Sequence, residues 1–206
     1  MKSQLRVKER LLLATTNQGK IVEIREYLTG LPLEITSLKE VGVKSFYPEK
    51  GESFLENARE KSLFYGKQLN ILTLAEDSGL EVEQLNGAPG VFSSRFSGPQ
   101  STDEQNIEKL LGLMKDIPFE KRKAQFTSCL ALTEGETLIK EFCEHVAGFI
   151  LTERRGHYGF GYDPVFFYPP LNRTFAELLP EEKNRVSHRG RALRRVKAFL
   201  PQYLVL

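Results

Sequence analysis

The stretch Leu11-Leu12-Leu13-Ala14-Thr15-Thr16-Asn17-Gln18-Gly19-Lys20 decides how the chain is read. Four consecutive apolar residues without alternation suit a short strand covered on both faces. A polar turn ends that run, and Ile21, Ile24 and Leu28 then recur at helical spacing as far as Gly30. Strand, turn and helix in this order open an α/β unit. Moving outward, residues 33–38 are a second strand candidate. Ser53 and Glu56 have capping-box spacing, which predicts a longer helix through Ala58, Leu63 and Tyr65 to Leu69. Residues 71–75 form a third apolar run, expected to end on the turn Glu76-Asp77-Ser78-Gly79.

Farther along, residues 86–100 are rich in Gly, Pro and Ser and read as a loop region. Thr102 and Gln105 repeat the capping-box spacing ahead of Ile107, Leu110, Leu111 and Met114. Two strands, 125–133 and 138–149, are joined at Glu134-Gly135 in a hairpin pattern. A loop at 154–164, a strand at 165–168 and a terminal helix capped by Ser187 and ending near Pro201 complete the expectation. The sum is an α/β protein with a mixed β-sheet flanked by helices. A short extension, 1–10, is expected to precede a single domain, 11–206. Ligands of such sheets gather beyond the carboxyl ends of strands, where the turns after Ala14 and Ala75 are expected to lie.

Composition narrows the function classes. With 206 residues, 40% hydrophobic and 27% charged, the chain suits one globular unit, and recurring Leu, Ile, Val and Phe exclude a disordered one. A formal charge of +2 is too mild to make a nucleic-acid binder on that ground alone. The first ten residues lack an apolar h-region, and no apolar run approaches the ~20 residues of a membrane span, so a cytoplasmic protein without a membrane partner is expected. Two cysteines, Cys129 and Cys143, favour a reducing compartment, with both read as small buried hydrophobes rather than a disulfide framework.

Four constellations carry chemistry. The turn Thr15, Thr16, Asn17, Gln18, Gly19, Lys20 precedes a helix N-terminus, whose free amides and partial positive charge suit phosphate. It lacks the spacing of a Walker loop, and a capped turn with a solvated lysine is the other reading. Glu76-Asp77 could hold Mg2+, which takes a few carboxylates plus water and phosphate, or could form a solvated turn. Glu49 is a further candidate metal ligand, or an exposed loop charge. The segment from Gly156 through Phe160, Gly161, Tyr162 and Asp163 interleaves glycines with rings that could stack on a base, or merely makes a turn with core aromatics. Finally, Lys183, His188 and Arg189 lie around a helix cap; Arg189 can meet a carbonyl edge or phosphate, and His188 can bind a base or titrate near neutrality. Arg191, Arg194, Arg195 and Lys197 read as a basic solvated face.

Six ordered motifs now make the chain resemble the inosine triphosphate pyrophosphatase (Ham1-like) family: ATTNQGK, SFLENA from Ser53, LAEDSGLEV from Leu74, GAPGVFSSRFSG from Gly87, GFGYDPVFF from Gly159 and EEKNRVSHRGRAL from Glu181. The resemblance implies an elongated two-lobed α/β fold with a central cleft, a homodimer, and Mg2+-dependent cleavage of non-standard purine nucleoside triphosphates (ITP, dITP, XTP) to monophosphate and pyrophosphate. It also implies Asp77 as general base and metal ligand with Glu49, residues 15–20 at the triphosphate, and Ser78, Phe160, Gly161, Tyr162, Asp163, Lys183, His188 and Arg189 on base and phosphates. In this scheme Lys20 and Lys183 stabilise the charge that develops at phosphorus. Glu76 stands where many bacterial relatives carry aspartate, and Tyr158 where glycine is more usual. A pyrophosphatase for other modified nucleotides and a basic nucleic-acid-binding module are the competing readings; the mild net charge and the acidic pair argue against the second, so no stable nucleic-acid partner is expected.

Overall fold

The computed structural model describes residues 9–204. Its frame is a seven-stranded sheet. Strand β1 (Glu9–Leu13) lies in parallel between β2 (Leu33–Ser37) and β3 (Leu72–Val82). From β3 onward the order is antiparallel: β4 (Lys123–Glu134), β5 (Thr137–Ile150), β6 (Phe166–Tyr168) and β7 (Arg173–Thr174). Five helices pack around it: α1 (Gln18–Leu28), α2 (Phe54–Leu69), α3 (Asp103–Leu113), α4 (Pro180–Val186) and α5 (His188–Tyr203). The expected α/β mixed sheet is therefore present. Glu9 and Arg10 pair with Leu33 and Glu34, so the sheet begins inside the expected 1–10 extension. Residues 1–8 of that extension lie outside the described residues.

Local signals account for the helix starts. Asn17 accepts the Lys20 amide at 3.0 Å to open α1. Both arms of the Thr102–Gln105 capping box form at α3. At α2 only half the box forms: Ser53 accepts the Glu56 amide, while the Glu56 carboxylate accepts from Glu52 N instead. Helix α5 ends at Tyr203, near Pro201 as expected, and carries the proline inside its last turn. The ring removes one amide bond, but Leu204 N still reaches the Leu200 carbonyl at 2.9 Å.

Two expectations are corrected. The third strand does not stop at Ala75; β4 pairs with β3 along its whole length, from Leu72↔Glu134 to Val82↔Ala124, so Glu76-Asp77 lie inside a strand. Its parallel neighbour β1 does end there, at Leu13↔Leu74. A crevice opens where β1 turns away into α1, before the 3-10 turn Gly90–Arg95 covers the same edge through Leu80 N to Ser93 Oγ. The cysteines are not two buried free thiols: the antiparallel register sets Cys129 directly opposite Cys143, Cα to Cα 4.2 Å, and they are joined in a disulfide with Cys143 exposed.

Two apolar cores give the molecule its two lobes, and a third, smaller cluster gathers Leu12, Ala14, Leu38, Tyr65 and Ala75. One core gathers Leu11, Leu13, Ile24, Leu28, Leu74, Leu130 and Leu132 beneath Leu193, Val196 and Leu200 of α5. The other gathers Leu80, Ile107, Leu110, Phe126, Val146, Phe166 and Phe175 at the far end of β3–β5. Of the four basic residues of α5 read as a solvated face, Arg194 and Arg195 are exposed, and Arg191 and Lys197 are half-buried. Lys197 donates to the Tyr27 and Thr29 carbonyls at the end of α1, and Arg191 and Arg195 reach the β5 carbonyls of His145 and Cys143.

Candidate active site

Side chains alternate across a strand, so Glu76 and Asp77 leave β3 on opposite faces. Glu76 points between the two cores toward α5. It is 1% exposed, accepts from Ser128 Oγ at 2.8 Å, and takes Arg189 Nε on both carboxylate oxygens at 2.9 Å. Burial alone would raise its pKa, but Arg189 and Lys20 outweigh that and hold it ionised well below the usual carboxylate range. Glu76 thus anchors an arginine, and the reading of Glu76-Asp77 as a chelating pair is corrected.

Asp77 points toward α2. Its Oδ2 accepts from Asn57 Nδ2 and its Oδ1 from Ser78 N, both at 2.9 Å. It is 6% exposed and has no ion pair among the described residues. Burial therefore prevails and lifts its pKa above the ordinary value, with the Glu49 charge adding to the lift and Lys20 opposing it. Glu49 pairs with Lys61, whose charge outweighs burial and keeps Glu49 low. Lys61 also donates to the Glu76 carbonyl at 2.8 Å, on the strand edge that β1 has vacated. Arg95 approaches Glu49 to 3.9 Å.

The turn after β1 closes the crevice from the other side. Lys20 is half-buried with no ion pair among the described residues, and burial lowers its pKa against the pull of Glu76. Gly19 is required by contact: a Cβ there would meet the Phe160 ring at 2.9 Å. Phe160 in turn packs under two cations, Lys183 Nζ at 4.7 Å and Arg189 at 5.3 Å from its centroid.

Helix α4, which no periodicity announced, carries Lys183 into this corner. Lys183 Nζ sits between Asp163 at 2.7 Å and Glu23 at 3.0 Å. Asp163 also accepts Phe160 N, which fixes the glycine-rich loop. Arg189 adds Glu23 and, at 3.1 Å, Ser78 Oγ to its Glu76 contacts. His188 stacks on Phe126 at 4.6 Å, and its Nδ1 is buried without a partner among the described residues. Burial, with Arg189 beside it, drives its pKa well below the usual value, so the expectation that it titrates near neutrality is corrected. Tyr162 is buried, with its hydroxyl on the Ser93 carbonyl at 2.9 Å.

Most of these groups line one cleft of about 520 Å3, while Glu23, Asn57 and Glu76 hold lining residues from behind. Of the residues singled out from sequence, Thr15, Thr16, Asn17, Lys20, Glu49, Asp77, Ser78, Phe160, Gly161, Tyr162, Asp163, Lys183, His188 and Arg189 border it. Gln18 and Gly19 do not; Gln18 is exposed and turns back to the Thr16 carbonyl. Missed were Glu23, Asn57, Lys61 and Arg95. Asn57 and Lys61 carried a signal, being polar residues one turn apart beside Ala58 on the inner face of α2. Glu23 stands one turn beyond Lys20 in the same way.

A model of the Ham1 family matches residues 11–199. A dITP/XTP pyrophosphatase of Bacillus cereus is 43% identical over 202 residues, covering 96% of this chain and 97% of the relative. Another from Desulfotalea psychrophila is 46% identical over 194 residues, covering 94% and 86%. The structure of the Staphylococcus aureus Ham1 protein superposes with a TM-score of 0.85 at 37% identity, covering 95% of this chain and all of the other. A Coxiella burnetii HAM1 protein gives 0.85 at 40% identity, with 94% and 99% covered. Matched over nearly all the described residues by model, sequence and fold, the chain belongs to the Ham1 family.

Proposed function

We propose that the chain is a nucleoside-triphosphate pyrophosphatase that hydrolyses ITP, dITP and XTP to the monophosphate and pyrophosphate, removing them from the nucleotide pool before they enter DNA and RNA. The observation that carries this reading is the division of charge along the cleft. At one end Lys20, Lys61 and Arg95 face two carboxylates, Asp77 and Glu49. At the other, Lys183 and Arg189 face three, Glu23, Glu76 and Asp163. The cationic end suits a triphosphate and the other end suits an uncharged base.

The donor set at the phosphate end fits Mg2+. Asp77 is a buried carboxylate lacking a paired cation, and each of its oxygens accepts only one hydrogen bond. Among the described residues no group of three or more acidic, His or Cys side chains is placed to hold a metal. Mg2+ is bound in this way, by one or two carboxylates plus waters and substrate phosphates. Asp77 and Glu49 would hold it, and it would supply positive charge toward the phosphate oxygens.

Asp77 acts as the base that orients and deprotonates a water for attack on the α-phosphorus, with Asn57 fixing the carboxylate. Lys20 and Lys61 stabilise the charge that develops. Lys183, expected to share that role, is neutralised by Asp163 and Glu23 and belongs to the base end instead. There, Arg189 and Lys183 keep N–H groups beyond those used by their carboxylates. A 6-keto base offers these donors an acceptor, whereas the amino group of adenine would leave them unpaired. We place the enzyme in the cytoplasm as a homodimer on the strength of the family resemblance. No helix among the described residues is long and apolar enough to cross a membrane.

A pyrophosphate-release assay over ITP, dITP, XTP and the common triphosphates, with and without Mg2+, tests the reading. The expected result is Mg2+-dependent preference for the three non-standard purines; preference for a pyrimidine overturns it.

A further inference from the structure

The base end of the cleft is assembled from four separate segments. Lys183 comes from α4, Arg189 from α5, Asp163 from the glycine-rich loop and Glu76 from β3. Each cation has its own carboxylate: Asp163 for Lys183 at 2.7 Å and Glu76 for Arg189 at 2.9 Å. Neither contact fixes one cation relative to the other. Among the described residues one carboxylate alone pairs with both: Glu23 of α1, whose Oε1 accepts Lys183 Nζ at 3.0 Å while Oε2 accepts Arg189 Nη1. All three side chains are largely buried, so the link is not screened like a surface pair.

We propose that Glu23 is a positioning residue for base selection: its single carboxylate sets the spacing of the Lys183 and Arg189 donors that meet the purine edge. This rests on the function proposed above. Five N–H groups on Arg189 and three on Lys183 are available in principle. Glu76, Glu23 and Ser78 occupy Nε–H and one hydrogen on each terminal nitrogen of Arg189. Asp163 and Glu23 occupy two of the three on Lys183. What remains is a small set of donors with fixed directions, which a 6-keto group can satisfy and an amino group cannot. Removing Glu23 frees one further N–H on each cation and lets the two drift apart, so the edge loses its definition. Glutamine cannot replace it, because it offers one acceptor and must turn its own N–H toward the second cation. Each cation still keeps a carboxylate, so the fold is expected to survive.

The test uses the full chain and the variants Glu23→Gln and Glu23→Asp, with kcat and KM for ITP and ATP and a thermal melt for each protein. For Glu23→Gln the expected result is a roughly ten- to hundredfold loss in kcat/KM for ITP, mostly in KM, with ATP hydrolysis little changed, so that the ITP:ATP ratio narrows. Glu23→Asp retains the charge but is one methylene short of spanning both cations, so the ratio stays narrow while the melting temperature recovers. An equal loss for ITP and ATP with a lower melting temperature would make Glu23 structural only. Full selectivity in Glu23→Asp would reduce its role to charge balance, and unchanged selectivity in both variants would remove it. If Glu23→Gln does not fold, Glu23→Asp carries the test alone. A parent protein that does not prefer ITP over ATP refutes the proposed function instead, a result distinct from all of these.

Discussion

Glu76 and Asp77 are chain neighbours with similar side chains, and the two faces of β3 make them different groups. On the α5 face Glu76 is locked to Arg189 and Ser128, deeply ionised, and structural. On the α2 face Asp77 has two neutral donors, no paired cation and a raised pKa. Burial is nearly equal, 1% and 6% exposed, so burial does not separate them. The partner does. A buried carboxylate with an arginine is spent on the fold, whereas one without a counter-charge is available for a proton or a metal.

Four experiments press on that contrast. Asp77→Asn should lower turnover by roughly 10²–10⁴-fold in the pyrophosphate assay while the thermal melt shows a folded protein; near-normal turnover would take Asp77 out of catalysis. Glu76→Gln should do the opposite, acting first on stability. It leaves buried Arg189 with Glu23 as its remaining carboxylate and should cost about 3 kcal/mol in urea unfolding. A negligible change would show that the Glu76–Arg189 pair does not anchor the fold.

His188 lies on the same face as Glu76 and gives the third test. Its folded pKa is depressed below the unfolded value near 6.5, so unfolding takes up a proton once the pH drops below that value. Stability should fall with acidification from about pH 6.5, approaching ~1.4 kcal/mol per pH unit for one proton, and His188→Gln should flatten this slope in urea melts across pH 5.5–7.5. The smallest effect concerns Asp77 itself. Because its pKa is raised above 3.8 in the metal-free protein, Asp77 should titrate above that value in a carboxyl NMR titration without Mg2+, and Glu49→Gln, which removes a like charge, should move it downward. A titration unmoved by the substitution would show that Glu49 does not act on Asp77.

Much of the fold was legible from local chemistry. The caps at Ser53, Thr102 and Ser187 open helices where their spacing places them, because capping is settled within four residues. The hairpin after β4 turns at Gly135, with φ 56°, for the same reason. Helix α4 was not legible, since seven residues hold too little periodicity to register. The extent of β3 was hidden as well. Polar residues at 76–78 look like a turn until a partner strand is known to run beside them.

For the site, the residue types and their order along the chain were enough to assign the family and to gather fourteen of the twenty-four residues that line the cleft. The tertiary structure alone decided their roles. It set Glu76 against Arg189 across 113 residues of sequence and brought Glu23 to Arg189 across 166. It also brought Cys129 opposite Cys143. Local sequence reports propensity and spacing, which act over a few residues. The charge state and task of a buried group depend on which distant side chain shares its face of the sheet, and that is set only when the strands pair and the helices pack.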